Sequence, residues 1–310
     1  MHKPIYFVCG ALRSGTTMLR LMLNEHPRLS NPAEMDPLFD APRGADGDVR
    51  MQEFVRTLRA DSVIVEQGVR VEEGLSYGDL LRSIADQLRV EGKTLSINVH
   101  RNFERIPEVF PEARHIHIIR DPRDVAKSSI GMGWAGNVYH GVDHWMLSEA
   151  SFERLEGTLP ADRVLTLRNE DLLRQPEAEL ERVCRFMGEA FDPAMLTYPE
   201  KSTYAAPDPS VIGQWRRSLS AEETALVEGK IGEMLTARGY ELSGAAPMVP
   251  SSLKRFGLKQ QNRLGRLQFS ARRFGPWLTF LDLLRRFVPH RGLDEHVSRR
   301  MGRIWAEHLK

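Results

Sequence analysis

Short runs of β-branched, aliphatic and aromatic residues recur along this chain, set apart by stretches where apolar side chains return every three or four positions. Ile5–Cys9, Thr94–Val99, Arg114–Ile119 and Val164–Leu167 are runs of the first kind and predict buried strands. The helical spacing predicts a helix over Thr16–Asn24, with Met18, Leu19, Leu21, Met22 and Leu23 on its apolar side. It predicts further helices over Glu53–Leu58, Tyr77–Val90, Phe103–Phe110 and Glu177–Met187. Asp121 in the N-cap position with Pro122 after it opens another, running toward Ile130. Residues 27–48, rich in proline, glycine and aspartate, predict a loop. Strands alternating with helices imply parallel pairing, and so a layered α/β fold with a central parallel sheet flanked by helices.

The first strand ends in Gly10-Ala-Leu-Arg-Ser-Gly-Thr-Thr17, directly before the first helix. A turn in that setting aims backbone N–H groups and a helix N-terminus at an anion. Gly15 lets the backbone approach anion oxygens, and Ser14, Thr16 and Thr17 add hydroxyl donors. A nucleoside triphosphate loop would carry lysine where Thr16 stands. Here the cation is Arg13, two residues before Gly15. A nucleotide ending in phosphate plus sulfate has no γ-phosphate for such a lysine to hold, and Arg13 would meet the oxygens around the bond that breaks. The plainer alternative is a strand–turn–helix in which these residues only cap the helix.

The stretch Arg13-Ser-Gly-Thr-Thr17 resembles the 5′-phosphosulfate loop of sulfotransferases that use 3′-phosphoadenosine-5′-phosphosulfate (PAPS), and its continuation to His26-Pro27 looks like the protein-tyrosine sulfotransferases and their bacterial relatives. The resemblance runs over roughly residues 4–242 and implies a P-loop-like three-layer α/β fold. It implies sulfuryl transfer from PAPS to an acceptor hydroxyl by in-line displacement, with release of 3′,5′-ADP. In that family the 3′-phosphate is held by an arginine at a strand end and a serine eight residues on, which here are Arg120 and Ser128. The segment from Ser202 to Arg217 resembles the part of the family that covers the nucleotide. There Trp215 would pack near the adenine, or serve simply as a core residue, and Arg216 or Arg217 would reach the 3′-phosphate.

An acceptor hydroxyl loses a proton as it attacks, so a positioned base helps. The resemblance offers two. Glu34, eight residues after His26, matches the base of tyrosylprotein sulfotransferases; His100, at a strand end, matches the histidine of cytosolic ones. Glu34 is the favoured candidate. Two positions depart from the family: Asn98 stands where a lysine precedes the histidine, and Asn169 replaces a tyrosine. The reaction needs no metal, and none is expected. His140, Asp143 and His144 have the spacing of ligands on one helix face, but an acceptor groove or simple packing explains them better.

Charge adds a second theme. Residues 251–310 hold 14 Lys and Arg against 4 Asp and Glu, whereas the first 250 residues hold 29 against 38. An acidic catalytic domain over 1–242, a linker over 243–250 and a basic helical extension over 251–310 are therefore expected. In the extension Trp277, Phe280, Leu281, Leu284, Phe287 and Val288 fall at helical spacing beside Arg285 and Arg286. That stripe suits peripheral docking on an anionic membrane, or packing on the body or on a second copy. The two cysteines, Cys9 and Cys184, sit in core-like runs and predict neither disulfide nor metal site. No signal peptide or membrane span is read, so a cytoplasmic protein is expected, peripheral to the membrane where the stripe docks there. Its partner would be a hydroxyl-bearing acceptor — tyrosine, carbohydrate, lipid or small alcohol — and no nucleic acid. A P-loop kinase or nucleotide hydrolase, and a non-catalytic nucleotide- or polysaccharide-binding relative, are the competing readings.

Overall fold

The computed structural model describes residues 4–285 and 297–304. Two compact units emerge, Met1–Arg120 with His144–Ile212, and Asp121–Asp143 with Gly213–Lys310.

The first unit is built on five parallel strands: β1 (Tyr6–Cys9), β2 (Leu29–Ser30), β3 (Thr94–Val99), β4 (Arg114–Ile119) and β5 (Val164–Arg168). Their order in the sheet is β2-β3-β1-β4-β5. Alternate residues of β1 serve opposite layers. Phe7 and Cys9 pack with Leu95, Ile97 and Val99 on one face, while Tyr6 and Val8 join Ile116, Ile118 and Leu19 on the other. The sheet is thus covered on both faces, the three-layer α/β arrangement that the strand–helix alternation predicts. From β1 the chain passes to β2 and β3 on one side and later to β4 on the other. The carboxyl end of β1 is therefore a topological switch point, where open α/β sheets bind ligands. The first helix, α1 (Thr16–Glu25), starts there.

All four expected strands form, and the differences have local reasons. β2 lies inside the expected loop 27–48; two residues carry no periodicity, and the strand exists only by pairing Leu29 with Thr94 and Ser30 with Leu95. The Phe103–Phe110 helix splits into a 3-10 turn, Phe103–Arg105, and a short helix, Ile106–Val109, with Pro107 in its first turn. The helix Asp143–Glu156 has no clean apolar stripe because its buried side includes Ser148, Glu149 and Ser151.

In the second unit Asp121 caps the helix Pro122–Gly131, accepting the Arg123 N–H at 2.9 Å. Arg123 is buried and bridges Asp121 (2.7 Å) and Glu228 (2.6 Å). The expected linker 243–250 has no regular structure but lies along the helix Ala221–Ile231, the Met248 N–H donating to the Ala225 carbonyl at 2.8 Å. The chain beyond it is continuous with this unit. The long helix Ser252–Phe274 passes so close to residue 136 that a Cβ on Gly265 would fall 2.6 Å from the Gly136 Cα, and Asn262 accepts the Gly136 N–H at 2.6 Å. In the next helix, Pro276–Leu284, the buried residues are Leu278, Thr279 and Asp282. Trp277 and Phe280 are 67% and 51% exposed, so this part of the apolar stripe is not used for internal packing. Arg286, Phe287 and Val288 lie outside the described residues. Among the described residues no helix is long and apolar enough to cross a membrane.

Candidate active site

The loop between β1 and α1 enters the left-handed region twice, at Arg13 (φ 71°) and Gly15 (φ 93°). A Cβ at residue 15 would sit 2.1 Å from Asn169 Oδ1, so both conformation and space require glycine. Asn169, the departure from the family tyrosine, thus closes over the loop. Ser14 is fully buried, and among the described residues its hydroxyl has no hydrogen-bond partner. A buried polar atom left unpaired is costly unless a ligand completes it. Arg120, leaving β4, donates from Nη1 to the Arg13 carbonyl at 3.1 Å, and His144 Nε2 donates to the Leu12 carbonyl at 3.1 Å.

Parallel pairing brings the rest. A bridge between Glu34 and Asn98 extends the sheet edge, and the Met35 N–H donates to the Asn98 carbonyl at 2.8 Å. Half-buried Glu34 accepts a 2.7 Å hydrogen bond from the Thr17 hydroxyl. Asn98, fully buried, donates to the Thr16 carbonyl (3.0 Å) and accepts from Asn31 Nδ2 (2.8 Å). It therefore braces the loop instead of supplying charge.

His100 is buried, with Nε2 3.1 Å from Thr16 Oγ1 and Nδ1 2.9 Å from Asp36 Oδ2. Asp36 also accepts the His100 backbone N–H at 2.6 Å and pairs with Arg101 at 3.3 Å. Burial alone would push the imidazole down, but the hydrogen bond and charge of Asp36 outweigh it and hold His100 above its usual value. Burial pushes the Asp36 carboxyl up, and His100 with Arg101 reverses that, leaving it below its usual value. Burial, with Arg120 nearby, lowers Arg13 despite the opposing influence of Tyr204 and Glu34.

Of the sequence-predicted residues, Arg13, Ser14, Gly15, Thr16, Thr17, Glu34, His100 and Arg120 meet in the first unit. Ser128 belongs to the helix Pro122–Gly131 in the second. Trp215, also there, is 4% exposed; its indole donates to Asp121 at 3.0 Å, and the Arg123 and Arg216 guanidinium carbons lie 3.8 and 4.3 Å from its ring centroid. These contacts are those of the core-packing alternative rather than of an exposed stacking surface. Arg216 and Arg217 are exposed. Asp36 and Tyr204 were not singled out from sequence; an acid two residues beyond Glu34 was the available signal for the first.

The triad of possible metal ligands does not form one face. His140 Nδ1 donates to Asn137 Oδ1 at 3.0 Å, Asp143 pairs with Lys230, and His144 turns to the loop. Among the described residues no cluster of three His, Cys, Asp or Glu is arranged for a metal.

A family model described as the sulfotransferase family matches residues 4–193. Omega-hydroxy-beta-dihydromenaquinone-9 sulfotransferase Stf3 of Mycobacterium bovis is 31% identical over 147 residues, which are 43% of this chain and 37% of that protein. Nodulation protein NoeE of Sinorhizobium fredii is 26% identical over 288 residues, 77% of this chain and 66% of that protein. The chain thus spans less than two thirds of the length of these curated relatives. Among solved structures, the sulfotransferase domain of the Synechococcus PCC 7002 olefin synthase is 26% identical with a TM-score of 0.54, over 73% of this chain and 95% of that one. The sulfotransferase domain from the curacin biosynthetic pathway, 20% identical with a TM-score of 0.56 over 78% and 99%, shares the fold. With loop, sheet order and family model in agreement, the chain belongs to the sulfotransferase family.

Proposed function

We propose that this protein transfers a sulfuryl group from PAPS to an acceptor hydroxyl and releases 3′,5′-ADP. The observation that carries the proposal is the buried Ser14 hydroxyl, unpartnered among the described residues, in a loop that turns left-handed on either side of it and opens α1. Such a loop offers an anion backbone N–H groups, a helix N-terminus and a waiting hydroxyl. Arg13 would neutralise charge growing on the leaving phosphate, which is the role of preorganised cations and donors in displacement chemistry. Glu34 is the proposed base. His100 suits that role less well, because its Nδ1 is engaged by Asp36 and its Nε2 by Thr16. Its proposed part is to fix the Thr16 hydroxyl. Arg120 and Ser128 are proposed to hold the 3′-phosphate, with Arg216 or Arg217 as further cations.

Thermal unfolding with ligands tests this reading. A ligand present at 100 times its Kd stabilises by about 2.7 kcal/mol, and 3′,5′-ADP should do so while ATP with magnesium should not. Stabilisation by ATP alone would favour the kinase or hydrolase alternative. Turnover with PAPS, read as 3′,5′-ADP release, separates an enzyme from a binding relative. The acceptor is proposed only as a hydroxyl compound. For the basic extension, exposed Trp277 and Phe280 support docking on an anionic membrane, to be read by vesicle co-sedimentation of the Trp277→Ser/Phe280→Ser protein.

A further inference from the structure

The second unit holds a half-open pocket of about 710 Å³ between residues 132–134, the long basic helix and the helix after it. The volume lies within the ~300–1,000 Å³ typical of small-molecule sites. Its wall is apolar, with Met132, Trp134, Leu267, Phe269, Phe274 and Leu283 around it. Three polar side chains of the wall have partners close by. The Ser270 and Thr279 hydroxyls are 3.1 Å apart, and Asp282 is paired with Arg285 at 2.7 Å. Arg263 and Arg266 are different. Both line the cavity from one helix, three residues apart and so on one face, and both are exposed. Among the described residues, neither is paired with a carboxylate.

We infer that this cavity binds a single-chain amphiphile with an anionic head, the chain lying against the apolar wall and the head held by Arg263 and Arg266. An apolar slot with two guanidinium groups that no carboxylate meets among the described residues fits that ligand and disfavours both a neutral lipid and a small inorganic anion. Guanidinium groups suit carboxylate and sulfate oxygens alike, because their paired N–H donors match both. The inference does not depend on the nucleotide chemistry, since binding needs no PAPS.

The test uses the full-length protein and sub-micellar 11-bromoundecanoate, whose bromine quenches nearby indole fluorescence. Quenching should saturate and should fall sharply in the Trp134→Phe protein. Competition should rank dodecanoate and dodecyl sulfate about tenfold or more ahead of dodecanol, and the order of those two anions tells a fatty acid from a sulfate ester. The Arg263→Gln/Arg266→Gln protein should lose that preference, and Leu267→Trp, at a half-exposed position, should block all three compounds. Dodecanol competing as well as the anions would overturn the inference. So would quenching unchanged by Trp134→Phe, or an anion preference that survives loss of both arginines.

Discussion

Alanine at position 15 tests the construction of the phosphate loop most directly, because two separable costs arise there. An L-residue at φ 93° leaves the favoured regions, at a cost of about 1–2 kcal/mol. The added methyl would also fall 2.1 Å from Asn169 Oδ1, with Asn169 Cγ at 3.0 Å and Ile118 Cδ1 at 3.4 Å. Overpacking of this kind costs about 1–3 kcal/mol. Gly15→Ala should therefore destabilise by roughly 2–5 kcal/mol, a large fraction of the ~5–15 kcal/mol that holds an ordinary domain together. Asn169→Ala empties the space that the methyl needs but leaves the backbone strain. In urea unfolding the double variant should be more stable than the sum of the single effects by about 1 kcal/mol or more. Additivity within ~0.5 kcal/mol would mean that Asn169 does not sit against Gly15. A Gly15→Ala protein as stable as the parent would refute the left-handed loop itself.

Arg13→Ala should lower kcat by ~10²–10³-fold, with an unchanged unfolding midpoint; a loss of only a few fold would remove Arg13 from the transition state. Glu34→Gln should lower kcat by ~10²–10⁴-fold with nucleotide affinity preserved, and His100→Asn should be milder; the reverse ranking would make His100 the base. Asp36→Asn should change the pH dependence of stability. His100, held above its usual 6.5, stabilises fully below that value and less as pH rises through its folded pKa. Asp36, held below its usual 3.8, stabilises fully above that value and less as pH falls through its folded pKa. The variant should lose both dependences; a profile parallel to the parent would deny the pair.

The loop was legible because everything it needs is contiguous: a strand, eight residues and a helix. Arg120 was legible for the same reason, as the last residue of an apolar run. The surroundings were not. Asp36 reaches His100 because residues 33–36 run beside β3, a register set by pairing across more than sixty positions that no local pattern encodes. Asn98 reads as a missing lysine in one dimension and as a brace in three. The sequence left Trp215 open between packing near a base and packing in the core; in the fold Arg123 and Asp121 meet its ring and its N–H. Residues 251–274 showed their charge in the sequence but not their seat, which depends on two glycines, Gly136 and Gly265, lying far apart along the chain.

The Asn31–Asn98 clasp also constrains how the protein can change. Restoring the lysine common in relatives would remove the amide that holds the Thr16 carbonyl and abandon Asn31 Nδ2, both in a fully buried place. Each buried group left unpaired costs about 1–3 kcal/mol. A lineage or an engineer reaching for the second cation must therefore alter positions 31 and 98 together. The two asparagines behave as one heritable unit, 67 positions apart along the chain and 2.8 Å apart in the fold.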